Sequence, residues 1–232
     1  MGISVDGGFA THVVVPDAKY LLDVSGIDPA FAGTCMCSGL TALSALKKLV
    51  DQTGKLLKGP IMIIGLGGVG MIAVEIAKAI FDTPPFVADI DASKRQAALD
   101  LGASEAFDSA DRDAIKAAIK KSGGGVSGSV DFAGAEGSVK FGHSVLRKGG
   151  KLVIAGLIGG HFEIAIPMFP LRSIGIQGSF VGTLDEAKEL LDMVRAGKIN
   201  PMAIEKRPLD AANKSLDDLR NGKIIGRVVL TP

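Results

Sequence analysis

An α/β fold built on a doubly wound parallel sheet is the reading this sequence supports, and three observations carry it. Short apolar runs alternate with amphipathic stretches along nearly all of the 232 residues, the order that covers a parallel sheet on both faces. The run Ile61-Met62-Ile63-Ile64 is apolar at every position, as a strand buried on both sides requires. It passes into Gly65-Leu66-Gly67-Gly68-Val69-Gly70 and then into apolar residues at helical spacing: Val69, Ile72, Ala73, Ile76, Ala77 and Ile80. In that helix Glu75 and Lys78 are expected to face outward.

Each remaining element follows from local chemistry. Ala10 to Val15 reads as extended and closes at Pro16. Leu40 to Val50 reads as a helix capped by Ser38, with Lys47 and Lys48 in its last turn. After Phe86 to Asp89, a second apolar strand, Ser93 to Leu101 is helical and Gly102 stops it. A strand at Glu105 to Phe107, a helix at Asp111 to Lys121 and a strand at Val126 to Phe132 come next, with Ser122 to Gly125 as loop. Ala133-Gly134-Ala135 opens a helix toward Leu146; Arg147 to Gly150 is a turn, Lys151 to Ala155 a strand and Gly156 to Gly160 a loop. Pro167 to Arg172 is a short helix and Ile174 to Phe180 a strand. Thr183 caps a helix reaching Arg195, with Asp185 and Glu186 in its first turn. Strands at Ala203 to Arg207 and Gly226 to Leu230 flank a helix from Leu209 to Leu219.

The glycine turn carries the chemistry. Between a strand and a helix, Gly65 permits the tight turn and Gly67 lets a pyrophosphate approach the backbone. Gly70 lets helix and strand pack closely, and free N–H groups at the helix start attract an anion. Asp89 ends the next strand, where an acid grips the adenosine ribose hydroxyls. The unit reads as a dinucleotide site of Rossmann type; the competing readings are a purely structural glycine turn or a nucleotide fold for a ligand such as S-adenosylmethionine. Asp89 selects NAD(H) over NADP(H) by repelling a 2′-phosphate, and Ile90 offers no compensating cation. Arg95 is the residue that would reverse this choice by turning toward the phosphate.

Composition excludes several classes. Lys and Arg total 26 against 25 Asp and Glu, so no basic field is present to hold nucleic acid or an anionic membrane. Cys35 and Cys37 stand too close for an ordinary disulfide, which suggests a reducing, cytoplasmic setting. Met1 to Asp6 lacks the basic start and apolar run of a signal peptide. The stretch from Ile61 to Ile80 nears membrane-spanning length, but its glycines, Glu75 and Lys78 favour strand, turn and helix. His12, His143 and His161 show no paired metal-ligand spacing and read as packed or surface residues; Cys35 reads as a small buried hydrophobe.

Several segments, in order, resemble the zinc-type alcohol dehydrogenases of the medium-chain dehydrogenase/reductase superfamily. Gly7-Gly8-Phe9-Ala10 with Val13-Val14-Val15-Pro16 is similar to the strand leading out of that family's catalytic domain. Cys37-Ser38-Gly39-Leu40-Thr41-Ala42 is similar to the stretch that gives a zinc ligand and then a nicotinamide contact. Gly65 to Gly70 with Asp89, and Gly222 to Leu230, match the cofactor loop and the closing segment.

The resemblance implies a role for each matching residue. Cys37 becomes one ligand of the catalytic zinc, Thr41 touches the nicotinamide, and Lys94 sits beside Asp89 near the ribose. Gly68 and Val69 lie in the cofactor loop, and Ala133 lines the groove. Ala155 and Leu157 flank the carboxamide, Ser179 and Phe180 present backbone to it, and Arg227 reaches the pyrophosphate. The division implied is residues 1–37 as a remnant of a GroES-like catalytic domain, 38–180 as the NAD-binding domain, and 181–232 as the return to the catalytic domain. The family also implies NAD as cofactor, an alcohol or carbonyl substrate for the full-length enzyme, and a homodimer formed through the strand at Ile174 to Phe180.

One departure is large. The family's first zinc ligand, its His-Glu dipeptide and its four-cysteine lobe match nothing in these residues, so the chain corresponds to the carboxyl-terminal two-thirds of such an enzyme. The expectation is an NAD(H)-binding portion that does not hold zinc or oxidise alcohol alone. The alternatives are a zinc-independent quinone or enoyl reductase of the same superfamily, and a non-catalytic dinucleotide-binding module.

Overall fold

A computed structural model describes residues 6–232; Met1 to Val5 of the opening segment lie outside the described residues. Eight strands and nine α-helices are described. Pro29–Thr34 (α1) and Leu40–Lys47 (α2) precede a repeating strand-helix core. That core runs Ile61–Ile64 (β1), Gly68–Ile80 (α3), Phe86–Asp89 (β2), Ala92–Asp100 (α4), Glu105–Asp108 (β3) and Arg112–Lys121 (α5). It continues with Val126–Asp131 (β4), Glu136–Ser144 (α6), Leu146–Ile154 (β5), Met168–Arg172 (α7) and Gly175–Gly178 (β6). Leu184–Arg195 (α8), Ile204–Pro208 (β7), Ala212–Arg220 (α9) and Arg227–Thr231 (β8) close the described chain.

The six core strands form one parallel sheet in the order β3-β2-β1-β4-β5-β6, while β7 and β8 pair separately. Alternation along the strands divides the core into two layers. Ile61, Ile63, Val87, Val130 and Val153 face one side, against α2, α3 and α8. Met62, Ile64, Phe86, Ala88 and Leu152 face the other, against α5 and α6. The sheet is thus doubly wound, and its strand order reverses between β1 and β4. A crevice forms at that switch point, beyond the carboxyl ends of the strands.

Caps explain where the helices start. Asp91 accepts from the N–H groups of Ser93 and Lys94, Asp111 from Asp113, and Thr183 pairs reciprocally with Glu186. Gly102, at φ +99°, ends α4 as the glycine stop predicts.

Four local expectations are corrected. Ala10 to Val15 forms no strand: it has no ladder partner among the described residues, and Val13 and Val14 are exposed. Ser38 caps nothing, because α1 and α2 join through a wider π-type turn at Cys35–Gly39, leaving Ser38 buried inside a continuous helix. That helix continues through residues 37 and 38. Its 19 residues, Pro29–Lys47, are apolar enough to span a membrane by composition, but 72% of the window is buried within the fold. Glu75 faces inward: it is 3% exposed, 2.7 Å from Lys78 Nζ, and accepts from the backbone and side-chain amides of Asn200. Arg147 to Gly150 lies within β5, with an irregular register against β4 between Val126 and Gly128.

Candidate functional site

The glycine turn is shaped by what surrounds it. Gly65 follows β1 at φ +83°, and a Cβ there would sit 2.8 Å from the Ala133 nitrogen, so only glycine lets the turn nest against the loop after β4. Gly67 has ordinary extended geometry and open space where a Cβ would stand. It precedes α3, whose first-turn N–H groups have no carbonyl in their own helix and no capping side chain. This leaves a cluster of donors at the positive end of a 13-residue helix.

Asp89 joins this turn to β2. Its Oδ2 accepts from the Leu66 N–H at 2.6 Å and its Oδ1 from the Asp91 N–H at 2.9 Å. A carboxylate offers about four acceptor positions, so both oxygens retain capacity for a hydroxyl. Lys94, on the first turn of α4, meets only Asp91, at 4.0 Å.

Asp131 performs the matching task at the end of β4. It is fully buried and accepts from Ala133 N–H at 2.9 Å, Gly134 N–H at 3.1 Å and Ser138 Oγ at 3.0 Å. Burial pushes its carboxyl upward from the usual range, and these hydrogen bonds oppose the shift. The result is a fixed loop over 132–135. Gly134, at φ +69°, lies against the Gly156 backbone, which locks this loop to the one after β5.

Arg227 comes from the separate β7–β8 sheet. Its backbone N–H donates to Ala203 carbonyl at 3.0 Å, and its side chain lies across Gly68, where a Cβ would meet Arg227 Cδ at 2.5 Å. Burial disfavours its charge, and the nearby Cys37 acts in the opposite direction. Among the described residues no carboxylate lies within ion-pair distance of this guanidinium. A half-buried, unpaired cation beside a helix N-terminus is a demand for an anion.

These parts enclose a cavity of about 530 Å³, within the usual size of a cofactor cleft. Gly65, Gly67, Gly68, Val69, Gly70, Asp89, Lys94, Ala133 and Arg227 all line it. Sequence reading did not single out Ser109, Ala110, Phe132 or Ser138, which line it too. The available signal was positional: Ser109 and Ala110 follow β3 and Phe132 follows β4, at carboxyl ends of parallel strands.

The other expected contacts stand outside this cavity. Thr41 is half-buried on α2, Ala155 packs partly against the core, and Leu157 and Phe180 are exposed. Ser179 is buried, and its Oγ has no hydrogen-bond partner among the described residues. Val181, two positions on, takes φ +49°, an unusual conformation for a β-branched residue.

The metal-ligating candidates do not converge. Cys37 is exposed on the π-type turn, so it and Cys35 both occupy helical backbone. Cys35 is fully buried, and burial raises its thiol to about 11. His12 and His161 are exposed, and His143 packs on Phe162 with ring centroids 5.4 Å apart. Among the described residues no three His, Cys, Asp or Glu side chains group as a metal centre would need. The donor set among the described residues does not by itself fit a catalytic zinc.

A crevice at the switch point of a doubly wound parallel sheet defines the class of fold, and the sequence comparison defines the family. The model of the zinc-binding dehydrogenases matches residues 68–196, and the chain belongs to that family. It is 31% identical over 234 residues to the NAD-dependent alcohol dehydrogenase of Sulfurisphaera tokodaii, with 100% of this chain aligned. It spans 66% of the length of that curated relative. Among solved structures, the alcohol dehydrogenase of Aeropyrum pernix superposes with a TM-score of 0.78 at 30% identity, covering 86% of this chain and 57% of that one. The acetophenone reductase of Geotrichum candidum, solved in complex with NAD, gives 0.78 at 28% identity, covering 91% and 58% respectively.

Proposed function

We propose that this chain is the NAD(H)-binding portion of a zinc-dependent alcohol dehydrogenase. The observation that carries the reading is the convergence of three recognition groups on one cavity: the uncapped start of α3, the Asp89 carboxylate and the unpaired Arg227. The pyrophosphate takes the α3 N-terminus and Arg227, whose charges match it. Asp89 accepts from the adenosine ribose hydroxyls and disfavours a 2′-phosphate, so NAD(H) binds in preference to NADP(H). Lys94 flanks the ribose, and Ala133 walls the groove. Thr41, Ala155, Leu157, Ser179 and Phe180 attend the nicotinamide end.

When bound in the whole enzyme, the coenzyme would supply a hydride acceptor for the carbon of an alcohol, or in its reduced form a hydride donor for a carbonyl. This chain orients the coenzyme. Cys37 would give one ligand of the catalytic zinc, and no full set of three ligands groups among the described residues. The 232 residues alone therefore bind NADH and leave alcohols untouched. Pairing with a second copy through the exposed edge of β6 belongs to the same reading, because an open strand edge invites pairing.

Calorimetric titration with NADH and NADPH, beside an alcohol-dependent NAD reduction assay with added zinc, tests this. Equal or tighter NADPH binding refutes the coenzyme assignment. One tightly held zinc per chain, lost on Cys37→Ser, or alcohol oxidation by the chain alone, refutes the division of labour.

A further inference from the structure

The geometry points to Asp108 as a second determinant of coenzyme choice, acting by holding Arg95 away from the adenosine ribose. This rests on the dinucleotide reading proposed above. Asp89 and Asp108 are register partners at the ends of neighbouring parallel strands. Arg95, on α4, spans them: its Nη1 donates to the Asp89 carbonyl at 2.8 Å and lies 3.3 Å from Asp108 Oδ2. The other Asp108 oxygen accepts from the Ala110 N–H at 2.9 Å, in the turn where Ser109 and Ala110 line the cavity.

Arg95 is therefore committed twice, to a backbone carbonyl and to a carboxylate. Both partners are partly buried, with side-chain exposures of 20% for Arg95 and 38% for Asp108, so solvent screens the pair only in part. A ribose 2′-phosphate needs a planar, multi-donor cation, and arginine supplies one best. Arg95 follows Lys94, which lines the cavity, and its guanidinium already rests on the backbone of Asp89, which lines it too. Asp108 withholds it. The simpler account, in which the Arg95–Asp108 pair only ties α4 to β3, predicts a change in stability and none in coenzyme ratio.

The test uses Asp108→Asn, which keeps an acceptor for Ala110 N–H, with Arg95→Gln and the double variant. Dissociation constants for NADH and NADPH are read by fluorescence titration, with melting temperatures beside them. Asp108→Asn should tighten NADPH about fivefold and change NADH by less than about twofold, the scale of one partly exposed charge contact. The gain should vanish in the double variant. Asp108→Ser repeats the measurement if the Asn variant unfolds. An unchanged NADH/NADPH ratio in either Asp108 variant, or a gain that survives Arg95→Gln, overturns the role assigned to Asp108 while leaving NADH binding intact. A wild-type chain that binds neither coenzyme overturns the site itself.

Discussion

Two glycines three residues apart should fail in opposite ways when changed to alanine. At Gly70 a Cβ would stand 2.9 Å from the Gly65 carbonyl carbon and nearer still to its oxygen, whereas carbon contacts settle at about 3.5–4.0 Å. The helix must then lift from the strand turn by more than half an ångström, and both partners are backbone. Overpacking of this kind costs about 1–3 kcal/mol. Alanine returns about 0.8–1.0 kcal/mol of helix propensity, and the rigidity of the obstacle puts the clash at or above the top of its range. We expect a net loss of about 2 kcal/mol, which for a chain of this length lowers the melting temperature by about 4–8 °C. At Gly67 the backbone already suits alanine, with φ −73° and ψ −167°, and nothing lies within 4 Å of the added Cβ. Stability should therefore stay within about 0.5 kcal/mol of the parent. The methyl group instead occupies the approach of the pyrophosphate and should weaken NADH about tenfold or more, equal to about 1.4 kcal/mol. Thermal melts and NADH titration of both variants decide the matter. Parental NADH affinity in Gly67→Ala would refute the placement of the pyrophosphate.

Replacing Asp89 by Ser should narrow or reverse the preference for NADH over NADPH, and an unchanged ratio would count against its ribose role; the lost tie to Leu66 N–H should also show as a lower melting temperature. Native protein at pH 8 should expose one thiol per chain to an alkylating reagent, at Cys37, and a second only on unfolding, because Cys35 is buried. Burial raises Cys35 from 9.0 to about 11, so the folded state binds more protons than the unfolded state in that window. Its contribution is complete below about pH 9 and is lost as pH rises toward 11; a Cys35→Ala variant should lose this part of the alkaline decline in stability. Ile176→Lys on β6 should weaken self-association in sedimentation experiments, with melting curves run in parallel because Ile176 also packs partly against the core.

The parts legible in sequence were those whose causes are local. The strand β1, the glycine turn and α3 could be read together because a uniform apolar run, a glycine spacing and a helical period lie side by side. Asp111 and Thr183 announced their helices in the same way. The misreadings have distant causes. Glu75 resembled a solvent-facing residue until Asn200, 125 positions away in sequence, supplied its partner. Ser38 had the chemistry of a cap but sits in a helix already begun at Pro29, with no free helix start to serve. Asp131 fixes the cavity wall through three contacts within seven residues, yet an aspartate closing a strand carries no distinctive pattern. Val13 and Val14 have strand propensity without a neighbouring strand among the described residues, and propensity alone does not make a ladder.

Arg227 has one more consequence, for the way the molecule opens. It belongs to β8, whose only strand partner among the described residues is β7, and a two-stranded sheet has little stability of its own. Its guanidinium nevertheless rests on Gly68, in the first turn of α3, which packs on the six-stranded sheet. An anion held between the two would be a reversible staple joining a weak unit to a strong one. Local opening of Ile204–Pro208 and Arg227–Thr231 would then require release of the ligand, so coenzyme should slow amide exchange in both strands. The same contact that selects an anion would thus decide whether the last sheet opens independently or only with the rest of the fold.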